Sequence, residues 1–512
     1  MTIDPKLIAA ARATFPPGAD SIVLGSPLSG REALGGSEAH PEPLVCVPLG
    51  MLNRHGLVAG ATGTGKTKTL QLIAEQLSNA GVPVFLADLK GDLSGIAAPG
   101  EASERVSTRA RETGFAWQPR ACPVELFSLT GKLGAQVRAT VSSFGPLLLA
   151  KVLDLNPTQT SVLALVFKYC DERGLELYDF ADLRTVLQHL TGPGAAELAR
   201  LGGMSKASVG VLLREMVELE QQGALAFFGE PELELQDLLR VTPDGKGVVS
   251  VLALQDVQDK PALFSTFMMW LLARLFAELP ELGDPPKPKL VFFFDEAHLL
   301  FRNASPAFLD QVGQVVRLVR SKGVGIFFVT QNPKDVPPEI LGQLGTRVQH
   351  ALRAFTPDDD KALRAAARTF PKTEFYDVEE TLTTLGTGEA LISALAPNGA
   401  PTQPFATRLI PPASRMGVLS ELELRGLLET KQVQKYRNAV DRESAHEKLT
   451  KKAAAVEAPA ERERAAQREP ARDDGVSISE VLNSPLARTV ANAFTRGVLG
   501  ALLGSPRRRR RY

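Results

Sequence analysis

Residues 60–67 read Gly-Ala-Thr-Gly-Thr-Gly-Lys-Thr and satisfy the GxxxxGK[ST] spacing of a phosphate-cradling loop. Gly60, Gly63 and Gly65, with Ala61, Thr62 and Thr64 between them, let the main chain wrap an anion closely enough for the loop's amides to donate to it. Bulky side chains at those glycines would hold the backbone away. Lys66 is placed to reach the terminal phosphates, Thr67 to offer its hydroxyl to Mg²⁺, and Lys68 continues the binding segment. An apolar run, HGLVAG (55–60), precedes the loop. An amphipathic helix predicted over 67–79 follows it and aims its N-terminal dipole at the same charge.

A second cluster lies far along the chain. The apolar run LVFFF (290–294) ends in Asp295 and Glu296. Asp295, at a strand tip, suits the Mg²⁺ shell, usually through water. Glu296 is placed to orient or deprotonate the water that attacks the γ-phosphate of ATP. A water-activating glutamate points to hydrolysis; a small-molecule kinase has no use for one. A third apolar run, 325–330, ends in Gln331, where a polar group between the carboxylates and the loop could sense the γ-phosphate. Any strand must end in something polar, so Gln331 rests on its position alone.

These residues need a frame that brings distant strand ends together. Short apolar runs without alternation recur at 56–59, 82–87, 124–129, 248–254, 290–294 and 324–330. Such runs predict strands buried on both faces, as in a parallel sheet covered by helices. The expected fold is therefore α/β, with a helical subdomain inserted over about 94–246. Residues 1–50 form a short N-terminal segment with one helix predicted over 5–14, and 51–429 form the core. A Lys-, Arg-, Glu- and Ala-rich helix and flexible linker, broken by Pro459 and Pro470, are expected over 430–475. An apolar helix over 486–503 lies within the last segment, 476–512, which ends in Arg507–Arg511.

Composition closes off several classes. Of 512 residues, 44% are hydrophobic and 23% charged, with Lys+Arg and Asp+Glu equal at 58 each, which excludes disorder throughout and a basic coat. The three cysteines, Cys46, Cys122 and Cys170, make no CxxC pair, so neither a disulfide framework nor a zinc site is expected. The start has no signal-peptide pattern, and the most apolar stretch, 264–279, is interrupted by Ser265, Thr266, Arg274 and Glu278. It reads as a buried helix. No integral membrane segment and a cytoplasmic location are the expectation.

GATGTGKT, FLADLKGDLSG (85–95), FFFDEAHLLF (292–301) and RLVRSKGVGIFFVTQNP (317–333) resemble the HerA/FtsK superfamily of P-loop motor ATPases. NRHG (53–56), LGQLGTRVQHALRAFTP (341–357) and GTGEALIS (386–393) are similar to its bacterial HerA-like branch, and the likeness runs from about residue 20 to 420. The resemblance implies a RecA-like core, a homo-hexameric ring, ATP with Mg²⁺ at subunit interfaces, and DNA as the polymer. It implies that Arg320 completes a neighbour's site, with Arg317 as fallback, and that Asp88 and Arg54 lie near nucleotide. HerA helicases begin with a β-barrel for which residues 1–50 leave little room, so that module is expected to be absent or reduced.

Two other functions share such a core. One is a protein-handling ATPase of the conjugation or secretion-coupling kind; the other is an ATP-switched scaffold that threads nothing. In the scaffold reading the C-terminal helix is the working part. That helix, with Arg488, Asn492 and Arg496 on one stripe of a largely apolar surface, is expected to dock on its own ring, on a partner protein, or on an anionic surface.

Overall fold

The computed structural model describes residues 5–15, 20–30, 32–34, 45–199, 203–301, 304 and 306–466. Among them are the strands β1 (Ser21–Ser29), β2 (Glu32–Ala33), β3 (Val45–Pro48), β4 (Gly56–Ala59), β5 (Val84–Asp88), β6 (Val124–Ser128) and β7 (Ala135–Gln136). Then come β8 (Val249–Ala253), β9 (Leu290–Phe294), β10 (Val324–Thr330), β11 (Thr346–His350), β12 (Glu389–Ser393) and β13 (Phe405–Leu409). All belong to one sheet, ordered β2-β1-β13-β12-β11-β4-β10-β9-β5-β8-β6-β7, with β3 paired to β1. From β11 to β7 every pairing is parallel. Beyond β11 the sheet becomes antiparallel.

The apolar runs are two-faced because the pleat sends alternate residues to opposite sides. Within β9, Phe292 and Phe294 join one core and Val291 and Phe293 the other. On the second side the helix Lys66–Asn79 contributes Leu70, Ile73 and Leu77. On the first side the helix Pro261–Glu278 buries Phe267, Met268 and Trp270. Burying a side chain of this size stabilises the fold by about 2–3 kcal/mol. Among the described residues no helix is long and apolar enough to cross a membrane.

Three features differ from the sequence expectation. β1 and β3, within the segment 1–50 set outside the core 51–429, belong to the sheet of that core, because β1 pairs both β13 and β3. The helical insertion is narrower than 94–246, because β6 and β7 belong to the sheet and the helices occupy Val141–Val152 through Leu235–Leu238. Its long helix Pro157–Arg173 starts from a reciprocal Asn156/Gln159 cap with Pro at its head, and stops at Gly174 (φ 58°). The helix Ala445–Ala466 runs through Pro459, expected to break it; its Ala-, Glu- and Lys-rich sequence has high helix propensity. The apolar helix predicted over 486–503 lies outside the described residues.

Candidate nucleotide site

Because β4, β10, β9 and β5 are parallel neighbours, their C-terminal ends share one edge of the sheet. Ala59 is in register with Thr330, and Phe294 with Phe328 and Ala87. The loop 60–65 leaves that edge from β4 and runs into the helix Lys66–Asn79. Gly60 (φ 152°) has no alternative, since a Cβ there would sit 2.5 Å from the His350 Cβ. Gly65 (φ 112°) caps the helix in the left-handed region and supplies no side-chain acceptor. The first-turn amides therefore face outwards without a cap, as an anion site requires. The loop is anchored from below. The Gly60 amide donates to the Thr330 carbonyl (3.3 Å), the Ala61 amide to the Ala351 carbonyl (2.8 Å), and the Gly388 amide to the Thr64 carbonyl (2.9 Å).

Lys66 folds over this loop, its Nζ donating to the Gly60 carbonyl at 2.7 Å and the Ala61 carbonyl at 3.1 Å. Burial lowers its pKa, partly offset by the Glu296 carboxylate. Thr62 and Gly63 are exposed at the tip, with Thr67 half-buried in the first helical turn. Lys68 turns towards Gln71, its Nζ 3.4 Å from Oε1.

Asp295 and Glu296 follow β9. Asp295 Oδ1 accepts from the Glu296 amide (3.0 Å), while Oδ2 is buried with no hydrogen-bond partner. Burial, and then the Glu296 charge, push the Asp295 carboxyl up to about 7. A buried carboxylate with an unsatisfied oxygen beside a second carboxylate is what a divalent cation would relieve, so the donor set fits Mg²⁺. Glu296 has a left-handed backbone (φ 50°) and a buried side chain. Its Oε1 meets Lys90 Nζ in an ion pair, and its Oε2 lies 3.2 Å from His298 Nδ1. Gln331 is exposed at the end of β10, between the strands that carry the loop and the carboxylates.

Asp88 ends β5 facing its own turn. Its Oδ1 accepts from the Gly91 amide (2.7 Å) and Oδ2 from the Leu93 amide (3.2 Å), and burial holds the carboxyl up at about 6. It shapes the loop that carries Lys90.

Arg54 and Arg320 are at the other end of the sheet. Arg54 precedes β4 and Arg320 precedes β10, and both reach Asp284 Oδ1 at 3.5 Å. The intervening β4 spans about 13 Å, so Arg54 does not meet the phosphate loop of this chain. With Arg317 and Arg347 it lines a cleft of about 470 Å³. The NRHG run builds this corner: His55 Nδ1 accepts from the Ile326 amide (3.1 Å), and Asn53 Nδ2 donates to the Arg320 carbonyl (3.4 Å).

Sequence reasoning missed four participants. Lys90 and His298 flank Glu296. His350 lies under the loop, sharing a 2.8 Å hydrogen bond with Thr69. Glu75 accepts from the Ala413 amide (2.7 Å) and from the Ser414 amide and hydroxyl (2.9 and 2.7 Å), tying the segment 410–416 to the loop's helix. That segment, with Lys68, Leu72 and Arg109, walls a 640 Å³ slot beside Gly65. Lys90, His298 and His350 all lie inside stretches that carry the family resemblance, which was the available signal. Glu75 had none.

The family model for the HerA-like helicase C-terminal region matches residues 36–511. The chain belongs to this family. Among curated relatives, a probable helicase of Methanocaldococcus jannaschii is 29% identical over 153 residues, 28% of this chain and 28% of the relative. A probable DNA double-strand break repair helicase HerA of the same organism is 32% identical over 114 residues, 22% of this chain and 21% of the relative. This HerA-like chain thus spans about a quarter of the length of the curated relatives it matches. Among solved structures, the plasmid coupling protein TrwB with a non-hydrolysable GTP analogue aligns at TM-score 0.49 and 14% identity, over 80% of this chain and 95% of that one.

Proposed function

We propose that the chain is an ATP-hydrolysing motor subunit that works as a homo-hexameric ring and translocates on DNA. The observation that carries this is the division of the sheet. The phosphate loop, the Asp295/Glu296 pair and Gln331 share the C-terminal edge, while Arg54 and Arg320 stand together at the opposite edge. A subunit so built holds an incomplete site at one end and the missing cation at the other.

In this reading the loop amides and Lys66 hold the β- and γ-phosphates, and the slot beside Gly65 takes the nucleoside. Thr67 and Asp295 would hold Mg²⁺, which neutralises phosphate charge when bound. Glu296 takes the proton of the attacking water, and Gln331 monitors the γ-phosphate. Arg320, offered to the next subunit, neutralises charge developing on the phosphate there, worth roughly 10³–10⁵ in rate for such arginines. The DNA assignment draws on family membership and on a relative named as a DNA double-strand break repair helicase.

The test is ATP turnover by the purified protein with and without single- and double-stranded DNA. Turnover that DNA raises several-fold is expected. Turnover indifferent to every form of DNA would instead favour a protein-handling ATPase or an ATP-switched scaffold.

A further inference from the structure

The ion pair between Lys90 and Glu296 bears directly on the proposed hydrolysis, and the role assigned to it rests on the ATPase reading. Glu296 is fixed in place. Its amide donates to Asp295 Oδ1, the next amide, of Ala297, donates to the Val329 carbonyl at 2.8 Å, and the Glu296 carbonyl accepts from the Leu299 amide at 2.9 Å. Its left-handed backbone is held by these bonds on both sides. Lys90 is different. Its backbone is set by the turn closed on Asp88, but its side chain is 50% exposed, against 5% for Glu296. The ammonium sits on a flexible four-carbon stem and is the partner free to leave.

In this arrangement neither oxygen of the glutamate is open to solvent. Oε1 is taken by the Lys90 ammonium, and Oε2 is buried without a hydrogen-bond partner, 3.2 Å from His298 Nδ1. A carboxylate must have an oxygen open to a water molecule to take its proton. We propose that Lys90 is a positioning residue that restrains Glu296, keeping hydrolysis slow until the lysine swings away.

The experiment measures steady-state ATP turnover without DNA for the full-length protein and for Glu296→Gln, Lys90→Met, Lys90→Arg and the double variant Lys90→Met/Glu296→Gln. Lys90→Met removes the charge at similar length. Its kcat is expected to rise about three- to ten-fold with KM for ATP within two-fold, and Lys90→Arg, which keeps the charge, to show a smaller gain. The double variant is expected to be as inactive as Glu296→Gln, because the gain acts through that carboxylate. A purely structural role for Lys90 would not produce a gain that Glu296→Gln abolishes. Wild-type turnover with an inactive Glu296→Gln, combined with no gain or a loss in Lys90→Met, overturns the restraint and leaves the ATPase reading standing. Wild-type protein that hydrolyses no ATP, or a fully active Glu296→Gln, overturns both.

Discussion

Lys66 and Glu296 differ in what their loss should do, because in the proposed site each would carry a different part of the chemistry. Lys66→Ala removes the point charge on the terminal phosphates, so ATP binding weakens and turnover disappears; an unchanged rate would sink the nucleotide-site assignment. Glu296→Gln keeps the shape but its amide cannot take a proton. That variant should bind a fluorescent ATP analogue normally and hydrolyse ATP at least about a hundred-fold more slowly. His350 gives a pH signature instead. Its imidazole is held at about 4, first by burial and then by the Lys66 charge, against an ordinary 6.5. The unfolded chain therefore takes up that proton first, and the contribution of His350 to stability is complete above 6.5 and lost as pH falls towards 4. In urea unfolding, the advantage of wild type over His350→Asn should shrink by about 2–3 kcal/mol across that window. A constant gap would mean that the folded imidazole takes up its proton over the same pH range as the unfolded chain does. The loop and the acidic pair were legible in the sequence because each is contiguous and chemically unusual. Lys90 and His350 were not, since they act through strands that only folding makes neighbours. The family resemblance puts Arg54 near nucleotide, which its own loop does not support; the sequence shows its charge but not at which end of β4 the ring would use it.

At the scale of elements, unbroken apolar runs located the central parallel strands within a residue or two, because burial on both faces leaves no room for polar residues. The antiparallel wing escaped notice. In β1 the run SIVLGSPLS mixes Gly, Ser and Pro with apolar residues, and its pairing with β13 joins segments far apart in the chain. The strap 410–416 was equally invisible, being irregular backbone held by a buried carboxylate. Glu75→Leu would leave the Ala413 and Ser414 amides buried without an acceptor, costing roughly 3 kcal/mol. The same change should raise KM for ATP, because the strap walls the proposed nucleoside slot; loss of stability with KM unchanged would place the nucleoside elsewhere.

For the whole molecule, the proposal stands or falls on whether the two edges of the sheet meet between subunits. Arg320→Ala should bind ATP about as well as wild type and lose most turnover, roughly 10³-fold or more. Mixed with inactive Lys66→Ala subunits, it should regain activity, because each supplies what the other lacks; no recovery with assembly intact would confine the arginine to its own subunit. Deleting residues 476–512 should leave basal turnover within a few-fold, since every nucleotide-site candidate, the strap 410–416 included, lies between Arg54 and Met416. A truncated protein that assembles but cannot hydrolyse ATP would bring the tail into the active site. The strand β10 adds a constraint on any such assembly. Its seven residues are all buried, hydrogen-bonded to β4 on one side and β9 on the other. They form a rod of about 20 Å with Gln331 at one tip and the arginine turn at the other. In a closed ring one rod would then serve two customers, its owner's nucleotide and the next subunit's. Damage along its middle would silence adjacent sites together, and in mixed rings activity would fall with the square of the intact fraction rather than in proportion to it.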